Sequence, residues 1–233
     1  MEPVRKIAIH ELVVQRIRRA IHLGDYLPGD RLPSEREIAE RLEVSRETVR
    51  EAIKVLESEG YVVSRRGATG GLAVTALGGP VARTHALLQE NQESIVHLMD
   101  FRRANECLAA RLAAQLRTQD DLAQISQSIE DLKVAEDIPR FRKADARFHL
   151  AVAVASRNPY VERAIVDARE AIFLWHGNRS YDLVLHTTLS GHQKILDAIA
   201  ARDPDAAAAA MDDHLIVALE EIEQTLSQPL EPL

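Results

Sequence analysis

Hydrophobic positions along the chain fall into three successive registers. In the first, Ile9, Leu12, Val13, Ile17 and Ile21 recur at three- and four-residue spacing, one face of a helix that stops near Gly24. Leu27-Pro28-Gly29-Asp30 reads as a turn. Ser34 with Glu37 three residues on forms a capping box, and the helix it opens carries Ile38, Ala39 and Leu42 inward. Only Glu43 and Val44 then precede Ser45, a second capping residue, followed by the stripe Val49, Ala52, Ile53 and Leu56. Two short helices across so tight a turn make the helix-turn-helix pattern. The second register is brief: YVVS and LAVT flank the glycine-rich Gly67 to Gly71 and predict two short strands around a turn. From about Thr84 onward the spacing is helical again. It breaks at Thr118-Gln119-Asp120, Ile138-Pro139, Asn158-Pro159, Gly177-Asn178 and Asp203-Pro204, which predicts about six helices with short connections, an antiparallel bundle.

The expected architecture is therefore mostly α. A winged helix-turn-helix of three helices and a β-hairpin wing occupies residues 1–78, a linker marked by Gly78-Gly79-Pro80 runs over 79–85, and an all-α antiparallel helical bundle occupies 86–228. The Ala206 to Ala210 run follows Asp203-Pro204 and reads as the start of a helix.

Composition sharpens this picture in two places. With 46% hydrophobic and 28% charged residues the chain has the balance of a folded globular protein. Its single cysteine, Cys107, excludes an intramolecular disulfide framework and a cysteine-based zinc finger. No apolar run approaches a membrane span and the first residues lack a signal-peptide core, so a cytoplasmic protein is expected. The net charge of -7 argues against a nucleic-acid partner, but it is unevenly placed: residues 1–78 hold 13 Lys+Arg and 12 Asp+Glu, the rest 16 and 24. The acidity belongs to the bundle.

In the N-terminal part, Arg46, Glu47, Arg50 and Lys54 stand opposite the buried stripe of the third helix, with Thr48 in its first turn, where a recognition helix meets base edges. Arg65-Arg66 directly precede the glycine-rich tip, and glycine lets backbone approach a duplex. Taken singly, each arginine is an ordinary solvated charge. Together, helix spacing, paired caps and a basic wing tip point to DNA.

In the C-terminal part, seven histidines are present, and three share apolar stripes. Asp145 and His149 lie i, i+4 on the face of Phe141 and Val152. His192 accompanies Ile195, Leu196 and Ile199, and His214 accompanies Met211, Leu215 and Ala218. Inward polar groups need partners. One carboxylate and three imidazoles suit a divalent cation, Zn2+ first, with Ni2+ or Mn2+ also compatible. A neutral hydrogen-bonded cluster, or no cluster at all, is also compatible with the spacing.

Residues 9–75, containing GDYLPGDRLPSEREIAERLEVSRETVREAIKVLESEGYVVSRRG, closely resemble the DNA-binding domain of GntR-family bacterial transcription regulators. Residues from about 86 to 224 resemble the FCD effector domain of the FadR subfamily, through LMDFRRANECLAARLAA, DARFHLAVAVASRNPYV and GHQKILDAIAARDPDAAAAAMDDHL. The resemblance implies a homodimer on a palindromic operator, contacted by Arg36, Ser45, Arg46, Thr48, Arg50, Arg66 and Gly67. It implies metal ligation by Asp145, His149, His192 and His214, and an arginine, Arg102, facing the effector cavity. Asn178 and Arg179 are further cavity candidates, and Trp175 reads as core. Glu47 departs from a phosphate-binding role and would at best accept from a cytosine amino group. The alternative for Arg102 is a surface ion pair with Glu106, four residues on.

The function these readings imply is a ligand-responsive transcription regulator, a repressor, whose operator affinity is set by a small carboxylic acid bound at a divalent metal. One rival is a DNA-binding protein whose metal is purely structural. An enzyme is the weaker rival, since no HExxH, GxSxG or evident general base accompanies the ligand set.

Overall fold

A computed structural model of the chain describes residues 8–65, 71–75, 92–172 and 181–227. Arg66 and Gly67 at the expected wing tip, the expected linker at 79–85, and Trp175, Asn178 and Arg179 lie outside the described residues. The chain divides into two compact units, residues 1–80 and 81–233.

In the first unit, helices α1 (Ile9–His22), α2 (Glu35–Leu42) and α3 (Arg46–Ser58) precede an antiparallel hairpin, β1 (Val62–Arg65) and β2 (Gly71–Val74), in the register Val62 to Val74 and Arg65 to Gly71. The capping box forms as the spacing predicts: the Glu37 backbone N–H donates to Ser34 Oγ at 3.3 Å and the Ser34 backbone N–H to Glu37 Oε2 at 2.8 Å. Ser45 Oγ caps α3 by accepting from the Thr48 backbone N–H at 3.0 Å. Between them Glu43 adopts φ 54°, the left-handed conformation that turns the chain from α2 into α3. Val13, Ile17, Ile21, Ile38, Val49, Ile53 and Leu56 close a core under all three helices, to which Val62 and Val74 fasten the hairpin. Leu12, expected inward, is half exposed. The turn before α2 is stitched to the hairpin by backbone bonds of 2.9 Å from Leu32 N–H to Leu72 O and from Val74 N–H to Asp30 O.

The second unit contains, among the described residues, six helices: α4 (Gln92–Leu116), α5 (Gln119–Lys133), α6 (Ile138–Ala155), α7 (Pro159–Ile172), α8 (Tyr181–Ala200) and α9 (Pro204–Ser227). Thr118 and Asp137 cap α5 and α6, and Pro159 and Pro204 open α7 and α9, where a missing N–H costs nothing. The helices pack around Met99, Ile125, Ile129, Phe148, Ile165, Ile195, Ile199 and Met211, all nearly or wholly inaccessible. A strip of alanines on α4 (Ala109, Ala110, Ala113 and Ala114), fully buried, lets its neighbours approach closely.

Candidate metal centre and nucleic-acid interface

Three helices of the bundle each turn a polar side chain into this apolar interior. Asp145 and His149 come from successive turns of α6, His192 from the middle of α8, and His214 from the middle of α9. All four are buried, and one donor atom from each lies within 4.8 Å of the others. The Asp145 Oδ1 is 3.5 Å from His149 Nε2 and 3.4 Å from His192 Nε2, and the His149 and His214 Nε2 atoms are 3.4 Å apart. Tetrahedral ligation with bonds of about 2.1 Å separates donors by about 3.4 Å, so these spacings fit a single cation. Both ring nitrogens of His192 are buried without a hydrogen-bond partner, a costly state for an imidazole with nothing to ligate. The donor set and its geometry can therefore hold a divalent metal.

The surroundings favour the same protonation states. Burial raises the Asp145 carboxyl, but the Arg169 guanidinium and the facing His149 and His192 rings outweigh it and hold it well below the usual carboxylate range. Burial pushes His192 down to about 4 and His214 well below its ordinary value, leaving both rings neutral with lone pairs to offer. Phe148 stacks on His192 with ring centroids 3.6 Å apart and sets its plane.

Two further side chains orient the ligands. Arg169 of α7 donates to Asp145 Oδ2, which leaves Oδ1 turned to the histidines. Glu106 of α4 lies directly against His149 Nδ1, so that Nε2 faces the centre. Such outer partners fix ring orientation and tautomer in metal sites. Glu106 in turn accepts from Arg102 Nε at 2.6 Å. Burial raises the Glu106 carboxyl, yet Arg102 and His149 reverse this and keep it ionised. The Arg102 to Glu106 pair expected on the surface exists but is buried, with Arg102 3% exposed. Arg102 also lines a cavity of about 30 Å³ together with Asp145, His149, Arg169 and His214. The pair with Glu106 thus forms away from solvent, and the Arg102 side chain also lines the cavity.

The spacing did not disclose Arg169 as a site residue, and it cast Glu106 only as a surface partner. For Glu106 the i, i+4 relation to Arg102 was the available signal. For Arg169 there was none, because Asp145 is 24 positions away on another helix.

In the first unit Arg46 and Arg50 are exposed on α3, and Arg36 is exposed on α2. Arg36 pairs with Glu40 at 3.0 Å and Arg50 with Glu35 at 3.2 Å, both exposed pairs of little energetic weight that a phosphate or base can replace. Ser45 Oγ and Thr48 Oγ1 bond to each other at 2.8 Å at the N-terminal end of α3. Glu47 is exposed beside them.

A winged helix-turn-helix followed by a helical bundle with a buried polar centre is an architecture of DNA-binding regulators. Residues 9–69 match the family model described as bacterial regulatory proteins, gntR family, and residues 97–216, more than half of the chain, match the FCD domain. The chain belongs to the GntR family and is a DNA-binding transcription regulator with an FCD domain, a domain type that commonly binds metal. It is 33% identical over 212 residues to the Uxu operon transcriptional regulator of Escherichia coli strain K12, covering 85% of this chain and 80% of that one. It is 31% identical over 201 residues to the HTH-type transcriptional regulator LutR of Bacillus subtilis strain 168, covering 82% and 91%. It is 33% identical over 214 residues to a putative L-lactate dehydrogenase operon regulatory protein of E. coli K12, covering 87% and 82%. In fold it is similar to E. coli McbR/YncC, with a TM-score of 0.58 at 20% identity over 94% of this chain and 99% of that one. No described helix is long and apolar enough to cross a membrane.

Proposed function

We propose that the protein is a cytoplasmic, homodimeric repressor that binds a palindromic operator and releases it when a small carboxylic acid occupies the bundle. The observation that carries the reading is the four-donor centre of Asp145, His149, His192 and His214, backed by Arg169 and Glu106 and opening on a cavity that Arg102 also lines. A divalent metal held by those four residues, Zn2+ by preference, would take a carboxylate by expanding beyond its four protein ligands. Arg102 and Arg169 offer guanidinium N–H groups beside it, the geometry suited to a carboxylate. The cavity holds about one water, so an acid enters only if its walls part, and that widening is the difference between the free and liganded states. Glu106 ties the centre to α4 at one point and the Arg103 to Asp212 bond, two residues before His214, ties it at another, so a shift of the ligand residues is felt along that helix. A tenfold loss of operator affinity requires about 1.4 kcal/mol of coupling.

Contacts to DNA are assigned to Arg36, Ser45, Arg46, Thr48 and Arg50, with Arg66 and Gly67 at the wing tip. For dimerisation, α4 presents Phe101, 46% exposed, and Leu108, 41% exposed, seven residues apart with Ala104 between them, an apolar stripe that a second copy would cover.

The test is an anisotropy titration of a selected operator fragment with metal-loaded protein, with and without a panel of small carboxylic acids. A rise in operator Kd of at least about tenfold with one acid, abolished by chelation, is expected. Unchanged Kd across the panel with the metal retained would establish the purely structural metal instead.

A further inference from the structure

The first turn of α3 exposes a carboxylate that no neighbour answers. Helices α2 and α3 together carry six carboxylates. Five are engaged: Glu35 with Arg50 at 3.2 Å, Glu40 with Arg36 at 3.0 Å, Glu37 and Glu57 as acceptors from the backbone N–H groups of Ser34 and Ser64, and Glu51 at 3.8 Å from His10 Nδ1. Glu47 is exposed and forms neither a hydrogen bond nor an ion pair among the described residues. A partner stands three positions along the same helix in Arg50, yet its guanidinium turns to Glu35 of α2. Arg46 and Glu47 therefore present opposite charges side by side, at the end of α3 that a recognition helix directs to base edges.

A carboxylate pressed against a duplex accepts only one kind of neighbour. It repels phosphate and, being an acceptor alone, is left unpaired against the N7, O6 and O4 atoms of the bases. Desolvating it without a donor is costly. The major groove offers two base donors, the cytosine N4 and adenine N6 amino groups. The adenine group lies between two acceptors, its own N7 and the O4 of the paired thymine, and both repel a carboxylate. The cytosine group has an acceptor on one side alone, the O6 of the paired guanine, and that O6 with the guanine N7 is what an arginine grips. With Arg46 beside Glu47 and Arg50 one turn on, α3 carries the complement of both halves of a C·G pair.

Resting on the proposed placement of this face of α3 against DNA, we propose that Glu47 is a specificity-determining residue that requires a cytosine at one position of the operator half-site. Its carboxylate accepts from the cytosine amino group, and the paired guanine is left to a neighbouring arginine. The residue acts by exclusion. It lowers affinity for every other base pair at that position and adds little to affinity for DNA as a whole.

The experiment selects bound duplexes from a random-sequence library with the full chain and with its Glu47→Gln, Glu47→Ala and Arg50→Ala variants. Anisotropy titrations then compare the selected duplex with its single-pair changes. The unmodified protein fixes a cytosine at one position of the half-site, and any other pair there weakens binding at least about fivefold. Glu47→Gln moves that position to adenine, because an amide both donates to N7 and accepts from the N6 amino group. Glu47→Ala binds all four pairs there within about twofold, and the other positions keep their bases in both variants. A first-turn carboxylate also complements the helix dipole, but that contribution is lost equally in the two variants and moves no base preference. Three results overturn the assignment while Arg50→Ala still alters the selected sequence: the same sequence for all Glu47 variants, a responding position that is not cytosine in the unmodified protein, or affinity raised equally for every duplex in Glu47→Ala. A sequence unaltered in Arg50→Ala as well, or no common sequence selected by the unmodified protein, overturns the placement of α3 against DNA and the selectivity with it.

Discussion

Gly191→Ala tests the centre through a residue that is neither a ligand nor charged. Gly191 sits on α8, one position before His192, where α8 crosses α9. A Cβ there would stand 2.7 Å from His214 Nδ1, 3.2 Å from its Cγ and 3.3 Å from its Cβ. Ordinary contact begins at 3.4 Å, so the imidazole must retreat by about 0.7 Å, and the displaced ring carries Nε2 away from His149 and Asp145. Metal bond lengths tolerate only about 0.2 Å, so the change removes His214 from the ligand set or breaks the geometry of the others. Outer-sphere changes already weaken metal sites by about 10–100-fold, so a displaced ligand should cost at least about 100-fold in affinity. The fold is affected far less. Alanine inside a helix gains about 1 kcal/mol over glycine, and crowding the core costs about 1–3 kcal/mol, which leaves a net loss of about 0–2 kcal/mol in the metal-free protein. Zinc competition against a chromophoric chelator and urea unfolding in the presence of a strong chelator measure the two quantities separately. Zinc affinity within about threefold of the unmodified protein would refute the placement of His214 in the ligand set.

Other perturbations address the remaining parts. His192→Ala combined with His214→Ala should abolish stoichiometric metal by elemental analysis while the helical circular dichroism persists, and full metal content would sink the ligand assignment. Arg50→Ala should weaken operator binding by about 1–3 kcal/mol if it reads a base, with unchanged thermal stability because its pair with Glu35 is exposed; equal operator affinity in an anisotropy titration removes it as a contact. Ser34→Ala deletes one half of the α2 capping box and should cost the first unit about 1 kcal/mol in urea unfolding, and no loss would show the cap to be idle. In metal-free protein, His192 titrates at about 4 when folded against 6.5 when unfolded, so the unfolded chain takes up its proton first as pH falls. Its contribution is intact above pH 6.5 and lost between 6.5 and about 4, by about 3 kcal/mol, and urea midpoints flat from pH 7 to 4.5 would contradict its burial.

How much of this was legible in the amino-acid order depended on the range over which each signal acts. Helix stripes, capping boxes and proline starts are set by neighbours within four residues, and Ser34, Ser45 and Pro204 stand where that local chemistry places them. His149, His192 and His214 were marked as inward because each shares a stripe with residues the core needs, such as Val152, Ile195 and Met211. Spacing alone did not bring them to one point, since that depends on how α6, α8 and α9 cross and on Gly191 allowing the crossing to be close; the family resemblance supplied the expectation. Arg169 was hidden for a related reason. Its α7 also carries the exposed Arg163 to Asp167 pair, and nothing within one turn distinguishes an arginine facing Asp145 from one facing water.

Charge shows the same limit most sharply. The chain total of -7 argued against a nucleic-acid partner, and dividing it placed the excess of acid on the helical unit. Neither sum distinguishes charges in water from charges in the core, where a mismatch of one unit is far more costly. Around the centre Arg102 answers Glu106 and Arg169 answers Asp145, so these four cancel before any cation is added. A divalent cation held there would be the one charge that these two pairs do not already balance. The excess of acid in this half of the protein therefore lies outside these two buried pairs.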